Sequence, residues 1–200
     1  MRPLLLCAAY PPELRAIPES LAGARGVALG VVGIGAVAAA VGATRLVAEI
    51  RPRAVLLLGT AGAYPGSGLP VGSAVVVSEA VAIPAIPRGV AHVADRRMAG
   101  ALRTAGARSV RAGTTLGVTA DRRLARVYGR LARVEHLEVY GVAEACRAAG
   151  VAFGALLGIS NAVGPRGHAE WKRNEPRALD AIARVLERAR PALVSPRTRA

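Results

Sequence analysis

The polar residues of this chain with most scope for chemistry stand where short apolar runs stop. The run VAFGALLGIS leads into Ser160-Asn161, a Gly/Pro-containing stretch follows, and the only tryptophan, Trp171, comes ten residues after the asparagine. An asparagine amide carries an NH₂ donor beside a carbonyl acceptor. Glu13 follows the first apolar run, Gly33 and Gly35 flank a tight turn after the second, Gly59-Thr60-Ala61-Gly62 follows the third, and Thr119 closes a later one. Taken singly these are weak signals: a Gly-x-Gly turn is common, and Glu13 alone would be an ordinary surface carboxylate, as most carboxylates are. Glu138 falls inside VEHLEVYGVAEAC, where the spacing predicts the first turn of an otherwise apolar helix. Two readings stand for it. It complements the positive end of that helix, or it is a carboxylate that accepts two hydrogen bonds from a vicinal diol.

The elements that must position these residues alternate between strand and helix. Strands are expected over residues 3–9, 27–32, 54–58, 73–83, 109–119 and 151–159. Helices are expected over 36–50, 95–105, 121–131, 135–149 and 169–190, the last broken near Asn174 and Pro176. The run AVLLL at 54–58 is continuously apolar, as in a strand buried on both faces. Strand, glycine turn, helix and strand in succession make the βαβ pattern of an α/β protein. Residues 84–88 read as a Pro-containing loop. With no repeat and no long linker, one domain over 1–194 with a frayed tail at 195–200 is the economical division. In open α/β sheets ligands bind beyond the carboxyl ends of the strands, so the five strand-end segments meet in one crevice if the sheet order allows it.

Composition narrows the function classes. Two hundred residues, 52% of them hydrophobic, are enough to bury a sizeable core. No apolar run reaches the roughly 20 residues that span a bilayer. The start, MRPLLLCAAYPPELR, is interrupted by Pro11, Pro12 and Glu13, so a buried first strand of a cytoplasmic protein is expected rather than a cleaved signal. The formal net charge is +14, yet the 27 basic residues, all arginine but Lys172, are scattered and cluster only in pairs such as Arg96-Arg97 and Arg122-Arg123. Aromatics are 3%, whereas a nucleic-acid module would group its charge and interleave aromatic side chains. A solvated arginine-rich surface is the simpler reading. Cys7 and Cys146 lie in apolar surroundings and read as buried free thiols. His92, His136 and His168 show no ligand spacing with cysteines or carboxylates, so neither a metal nor an organic cofactor is expected.

In their order, VGIGAVAAAVGATRLVAEIRPRAVLLLGTAGAY, VGSAVVVSEAV, VEHLEVYGVAEAC and GISNAVGPRGHAEW resemble the nucleoside phosphorylase and nucleosidase superfamily. The likeness covers most of the chain and is nearest to the futalosine hydrolases of menaquinone biosynthesis, then to the methylthioadenosine/S-adenosylhomocysteine nucleosidases. It implies a three-layer α/β phosphorylase/hydrolase-like fold: a central mixed, mostly buried β-sheet flanked by helices. It implies a small-molecule purine nucleoside as partner, no membrane, and a homo-oligomer, dimer or higher. The implied activity is N-ribosyl hydrolysis with release of hypoxanthine. Residue by residue, Glu13 matches the acid that holds the attacking water, and a carboxylate can take that water's proton. Glu138 matches the ribose-binding glutamate, and Leu137 stands where the family usually has methionine under the sugar. Gly33, Gly35, Thr60, Ala61 and Gly62 would line the ribose side, with Thr119 and Ser160 also in the substrate site. Asn161 takes the base-recognition position, and Trp171 matches an aromatic that closes over the ligand. Adenine-cleaving relatives carry aspartate at the Asn161 position. Asparagine suits a 6-oxopurine, donating to the oxo group and accepting from a protonated N7.

Water or phosphate as nucleophile can be weighed from the same residues. A phosphorylase must hold a dianion, for which arginine is the natural partner. Leu57-Leu58 precede Gly59-Thr60 and CAAYPPELR has no glycine-rich cradle, which favours water, with Arg15 and Arg45 left as the arginines that could reach in. The alternatives kept open are a methylthioadenosine/S-adenosylhomocysteine-type nucleosidase, a nucleoside phosphorylase, and a nucleoside-binding homologue with little turnover.

Overall fold

The structure, a computed structural model, describes residues 2–84 and 91–195. The loop expected over 84–88 and the tail over 195–200 lie outside the described residues except at Pro84 and Ser195. In chain order the elements are β1 (Leu4–Ala8), a 3-10 helix (Pro11–Ala16), α1 (Glu19–Ala22), β2 (Val27–Val31), α2 (Ala36–Ile50), β3 (Ala54–Ala63), β4 (Ala74–Ala82) and β5 (His92–Val93). There follow α3 (Arg96–Thr104), β6 (Arg108–Thr114), α4 (Arg122–Tyr128), β7 (Val134–Glu135), α5 (Val139–Ala148), β8 (Ala152–Ala162) and α6 (Gly167–Val194).

The strands form one mixed sheet in the order β2-β1-β3-β7-β6-β4-β5, with β8 pairing both β3 and β4. Strands β3, β7, β6, β4 and β8 therefore close a circuit, antiparallel at β3–β7 and β4–β8 and parallel elsewhere. Helices cover both faces, which is why the apolar runs are unbroken. On β1 and β3, Leu5, Cys7, Val55 and Leu57 pack with Ala39, Ala43 and Leu46 of α2 and Val139, Val142 and Cys146 of α5. The alternate residues Leu4, Leu6, Leu56 and Leu58 pack with Met98 and Leu102 of α3 and Ile182, Val185 and Leu186 of α6. This is the mixed, helix-flanked α/β arrangement expected.

Several boundaries differ from the expectation. Gly59–Gly62 does not follow the strand but belongs to it: β3 continues to Ala63, because β8 pairs along its whole length and β7 pairs at its end. β8 likewise runs on to Ala162, so Ser160 and Asn161 belong to the strand. β6 stops at Thr114, which leaves Thr119 in the loop that follows. The helix expected over 135–149 begins only at Val139, after the two-residue strand β7. Glu138 is thus the residue before the helix and not part of its first turn. α6 is unbroken from Gly167 to Val194 despite Pro176 and Pro191. A proline within a helix costs about 3 kcal/mol, and here a long stripe from Ala178 to Leu193 is buried on the sheet and offsets it.

Candidate active site

A cleft of about 320 Å³ opens at the carboxyl ends of the strands. All five strand-end segments contribute to it: Glu13, the turn after β2 through Ile34, the end of β3 through Thr60 and Gly62, the loop after β6 through Val118, and the end of β8 through Asn161. Leu137 and Glu138 before α5, and Gly167, His168 and Trp171 at the start of α6, complete the walls. Gly33, Gly35, Ala61, Ser160 and Thr119 do not line the cleft and lie immediately behind it. Ala61 is buried in the core, and Gly33 lies against Ala38.

Glu13 is held in the 3-10 helix that Pro11 and Pro12 start, and it is 3% exposed. Its Oε1 accepts from the Thr60 backbone N–H (2.9 Å) and from the Thr60 hydroxyl (3.3 Å), and its Oε2 accepts from the Ala9 N–H (3.3 Å). Burial raises its pKa to about 7; the Thr60 N–H opposes the rise and the Glu138 charge adds to it. The indole N–H of Trp171 donates to Thr60 Oγ1 at 3.0 Å, so a hydrogen-bonded chain runs from Trp171 through Thr60 to Glu13. His168 stacks on the indole with ring centroids 5.5 Å apart.

Glu138 is also buried, and its side chain makes no capping bond to the helix that follows. Its Oε1 accepts from the Gly35 N–H at 2.7 Å, and its Oε2 lies 3.1 Å from His136 Nδ1. Gly35 presents that N–H with φ of 90°, a left-handed conformation suited to glycine. The Gly33–Gly35 turn is therefore the support of a carboxylate as well as a wall. Burial lowers the His136 pKa, with the Glu138 charge pulling the other way.

Glu135 is a third buried carboxylate in the lining. It accepts from the Tyr64 hydroxyl (2.9 Å), the Thr119 N–H (3.0 Å) and the Thr119 hydroxyl. These bonds fasten the loop bearing Val118 to the floor of the cleft. Asn161 Oδ1 accepts from the Ser160 hydroxyl at 2.8 Å, and its Nδ2 donates to the Ala162 carbonyl at 3.0 Å. Each end of the amide keeps one hydrogen-bonding site unused by these contacts. Tyr10, at the rim, donates to Glu175 of α6.

The sequence reading missed Tyr10, Glu135 and His136 as parts of the site. For the last two the signal was present in the spacing of VEHLE, which sets two carboxylates and an imidazole within four residues. No arginine or lysine lines the cleft among the described residues; Arg15 is exposed, and Arg45 pairs with Glu49 on α2. Among the described residues no group of three or more His, Cys, Asp or Glu is placed to hold a metal ion, and no helix is long and apolar enough to cross a membrane.

Comparison with known proteins gives a consistent picture. The family model of the phosphorylase superfamily matches residues 16–190. A futalosine hydrolase from Thermus thermophilus is 33% identical, over 78% of this chain and 77% of the relative. Among solved structures, a futalosine hydrolase mutant of Helicobacter pylori superposes with a TM-score of 0.85 at 13% identity, covering 96% of this chain and 99% of that one. A 5'-methylthioadenosine/S-adenosylhomocysteine nucleosidase from Colwellia psychrerythraea, in complex with adenine, gives a TM-score of 0.85 at 18% identity, with 96% of each chain covered. At these identities the two structures establish the shared fold.

Proposed function

This chain belongs to the phosphorylase superfamily, and we propose that within it the protein is a purine nucleoside N-ribosyl hydrolase that releases hypoxanthine from futalosine. The observation that carries the reading is a buried carboxylate, Glu13, facing a second one, Glu138, in a cleft without arginine or lysine among the described residues. Two carboxylates repel a phosphate dianion and favour a cationic sugar. The relative from Thermus thermophilus supports futalosine as substrate.

In the reaction the bond between C1' and N9 breaks, and its electron pair leaves with the base, whose N7 takes up a proton from solvent that Glu13, once it has accepted the water's proton, gives back. Asn161 accepts from that N7–H and donates to the 6-oxo group with the amide sites left over from its own contacts. Glu138 accepts from the ribose hydroxyls, and its charge stabilises the ribosyl cation. Water adds to C1', and Glu13 takes its proton. A pKa near 7 suits a general base at neutral pH. Leu137 packs under the sugar, and Trp171 covers the ligand from α6.

The protein acts as a homo-oligomer in this proposal. Ile34, Val37 and Val41 are 65%, 72% and 66% exposed beside the cleft and offer a second copy an apolar face. Sedimentation of Val37→Glu with Val41→Glu would show a monomer where the parent chain does not.

A nucleoside panel incubated with and without phosphate, read by chromatography of the free base, tests the activity. Hypoxanthine release from futalosine at a phosphate-independent rate is expected. Phosphate-dependent turnover makes the protein a phosphorylase, and turnover of methylthioadenosine alone makes it the sister nucleosidase. Binding without base release overturns the enzymatic reading.

A further inference from the structure

His136 has no part in the mechanism above, yet its side chain is 2% exposed and reaches the cleft between the two carboxylates. We propose that His136 is the positioning residue of Glu138: its Nδ1–H holds Glu138 Oε2 while the Gly35 N–H holds Oε1, and the remaining lone pair of each oxygen is aimed at the ribose hydroxyls. This deepens the reading of Glu138 as the ribose carboxylate and rests on it.

The backbone that carries the ring is fixed on both sides. The His136 N–H donates to the Gly113 carbonyl (3.0 Å), and its own carbonyl accepts from the Thr114 hydroxyl (2.7 Å). Nδ1 then meets two partners that cannot both be satisfied by one tautomer. The backbone N–H of Glu138 lies 3.2 Å away and would donate to a bare Nδ1. Glu138 Oε2 lies 3.1 Å away and requires a protonated one. A bare nitrogen beside an ionised carboxylate sets lone pair against lone pair, whereas N–H to carboxylate is a charge-assisted bond and about twice as strong as a neutral one. The ionised site therefore selects the neutral imidazole with its proton on Nδ1.

The other nitrogen is accommodated by a second feature. A β-carbon on Gly59 would lie 2.5 Å from His136 Nε2 and 3.2 Å from Glu13 Oε1. Only a glycine at that point of β3 leaves room for the ring beside Glu13. In the selected tautomer Nε2 presents a lone pair on that side, so the ring adds no donor that would compete with the attacking water for Glu13. Burial, which disfavours the imidazolium, works in the same direction.

The tautomer can be read without turnover. In protein labelled with ¹⁵N-histidine at pH 7.5, two-bond ¹H–¹⁵N correlations should show His136 protonated at Nδ1 only. In Glu138→Gln, whose amide can turn its NH₂ to Nδ1, they should show the proton moved to Nε2. An Nε2–H tautomer or an imidazolium in the parent protein overturns the proposal. Kinetics supply the second arm. His136→Leu should raise KM for the nucleoside roughly tenfold, as expected for losing one bond to a charged group, and His136→Asn, whose NH₂ falls near the Nδ1 position, should recover most of it. Equal KM values for the two variants would assign the ring to packing alone and overturn the proposal. If the parent protein releases base from no nucleoside, the proposed function fails, and the tautomer spectrum still decides the His136–Glu138 bond.

Discussion

Glu13→Gln separates the electrostatics of the cleft from its contacts. Folding raises the Glu13 pKa from 4.5 to about 7, so between those values the folded protein holds a proton that the unfolded chain has released. The associated stability is complete below about pH 4.5 and is lost as pH rises to about 7. At about 1.4 kcal/mol for each pH unit in that interval, the loss is about 3 kcal/mol. Glutamine does not titrate, so the variant escapes it. The replacement also disturbs the bonds from Ala9 and Thr60, but that offset is the same at every pH. Urea unfolding of both proteins, followed by circular dichroism from pH 4 to pH 8, isolates the effect. The unfolding free energy of the variant minus that of the parent should become more favourable by about 3 kcal/mol across the range, with its midpoint between 4.5 and 7. The other carboxylates titrate alike in the two proteins and cancel. A difference that stays flat with pH would mean that Glu13 ionises as an ordinary surface acid, and the argument for a base tuned to neutrality would be refuted. In activity, the same substitution should lower kcat by about 10²–10⁴-fold, the usual range for a general base, and kcat/KM of the parent should climb as pH rises through about 7.

Asn161→Asp should shift preference from inosine-like toward adenosine-like nucleosides by about tenfold or more, the cost of one mismatched buried hydrogen bond; unchanged ratios on the two substrates would remove Asn161 from base recognition. Glu138→Gln should lower kcat/KM by about 10–100-fold, since bonds to a charged group contribute about 1.5–3 kcal/mol, and steady-state kinetics on futalosine check it. Gly59→Ala sets a methyl against the His136 ring and should lower the unfolding free energy by about 1–3 kcal/mol, as measured in urea. Cys7 and Cys146 are buried, and burial raises both thiol pKa values, that of Cys146 to about 12. Ellman's reagent should therefore modify them only as fast as the protein unfolds, and rapid labelling of the native protein would contradict their placement.

How much could be read from residues alone depended on how local the cause was. β1, β3 and β8 were legible because helices cover both faces of the sheet and force long apolar runs. Gly59–Gly62 was not, since its composition is that of a turn and only pairing to distant β7 and β8 keeps it extended. β5 and β7 have two residues each, too few to show a period. The start of α5 was misplaced because the apolar spacing of VEHLEVYGVAEAC carries back to Glu135, whereas Glu135 and His136 are held by Tyr64, Thr119, Gly113 and Thr114 from other elements. The same reason hid their place in the site. Asn161, Glu13 and Glu138 were visible because each stands as a polar residue beside an apolar run, although Thr60 and Gly35, which help to orient the two carboxylates, lie far off in the chain. Pro176 reads as a break because its effect on the helix is local, whereas the buried stripe that holds α6 together follows it in the chain.

The bond between Trp171 and Thr60 has a practical consequence. Trp171 is the only tryptophan, so the indole emission of the whole protein originates at the wall of the cleft. Through the Thr60 hydroxyl it is joined to Glu13, and a ligand filling the cleft must lie against it. Indole fluorescence, excited to the red of the four tyrosines, is thus a built-in gauge of this one place, sensitive to occupancy and to the ionisation of Glu13, with no label attached.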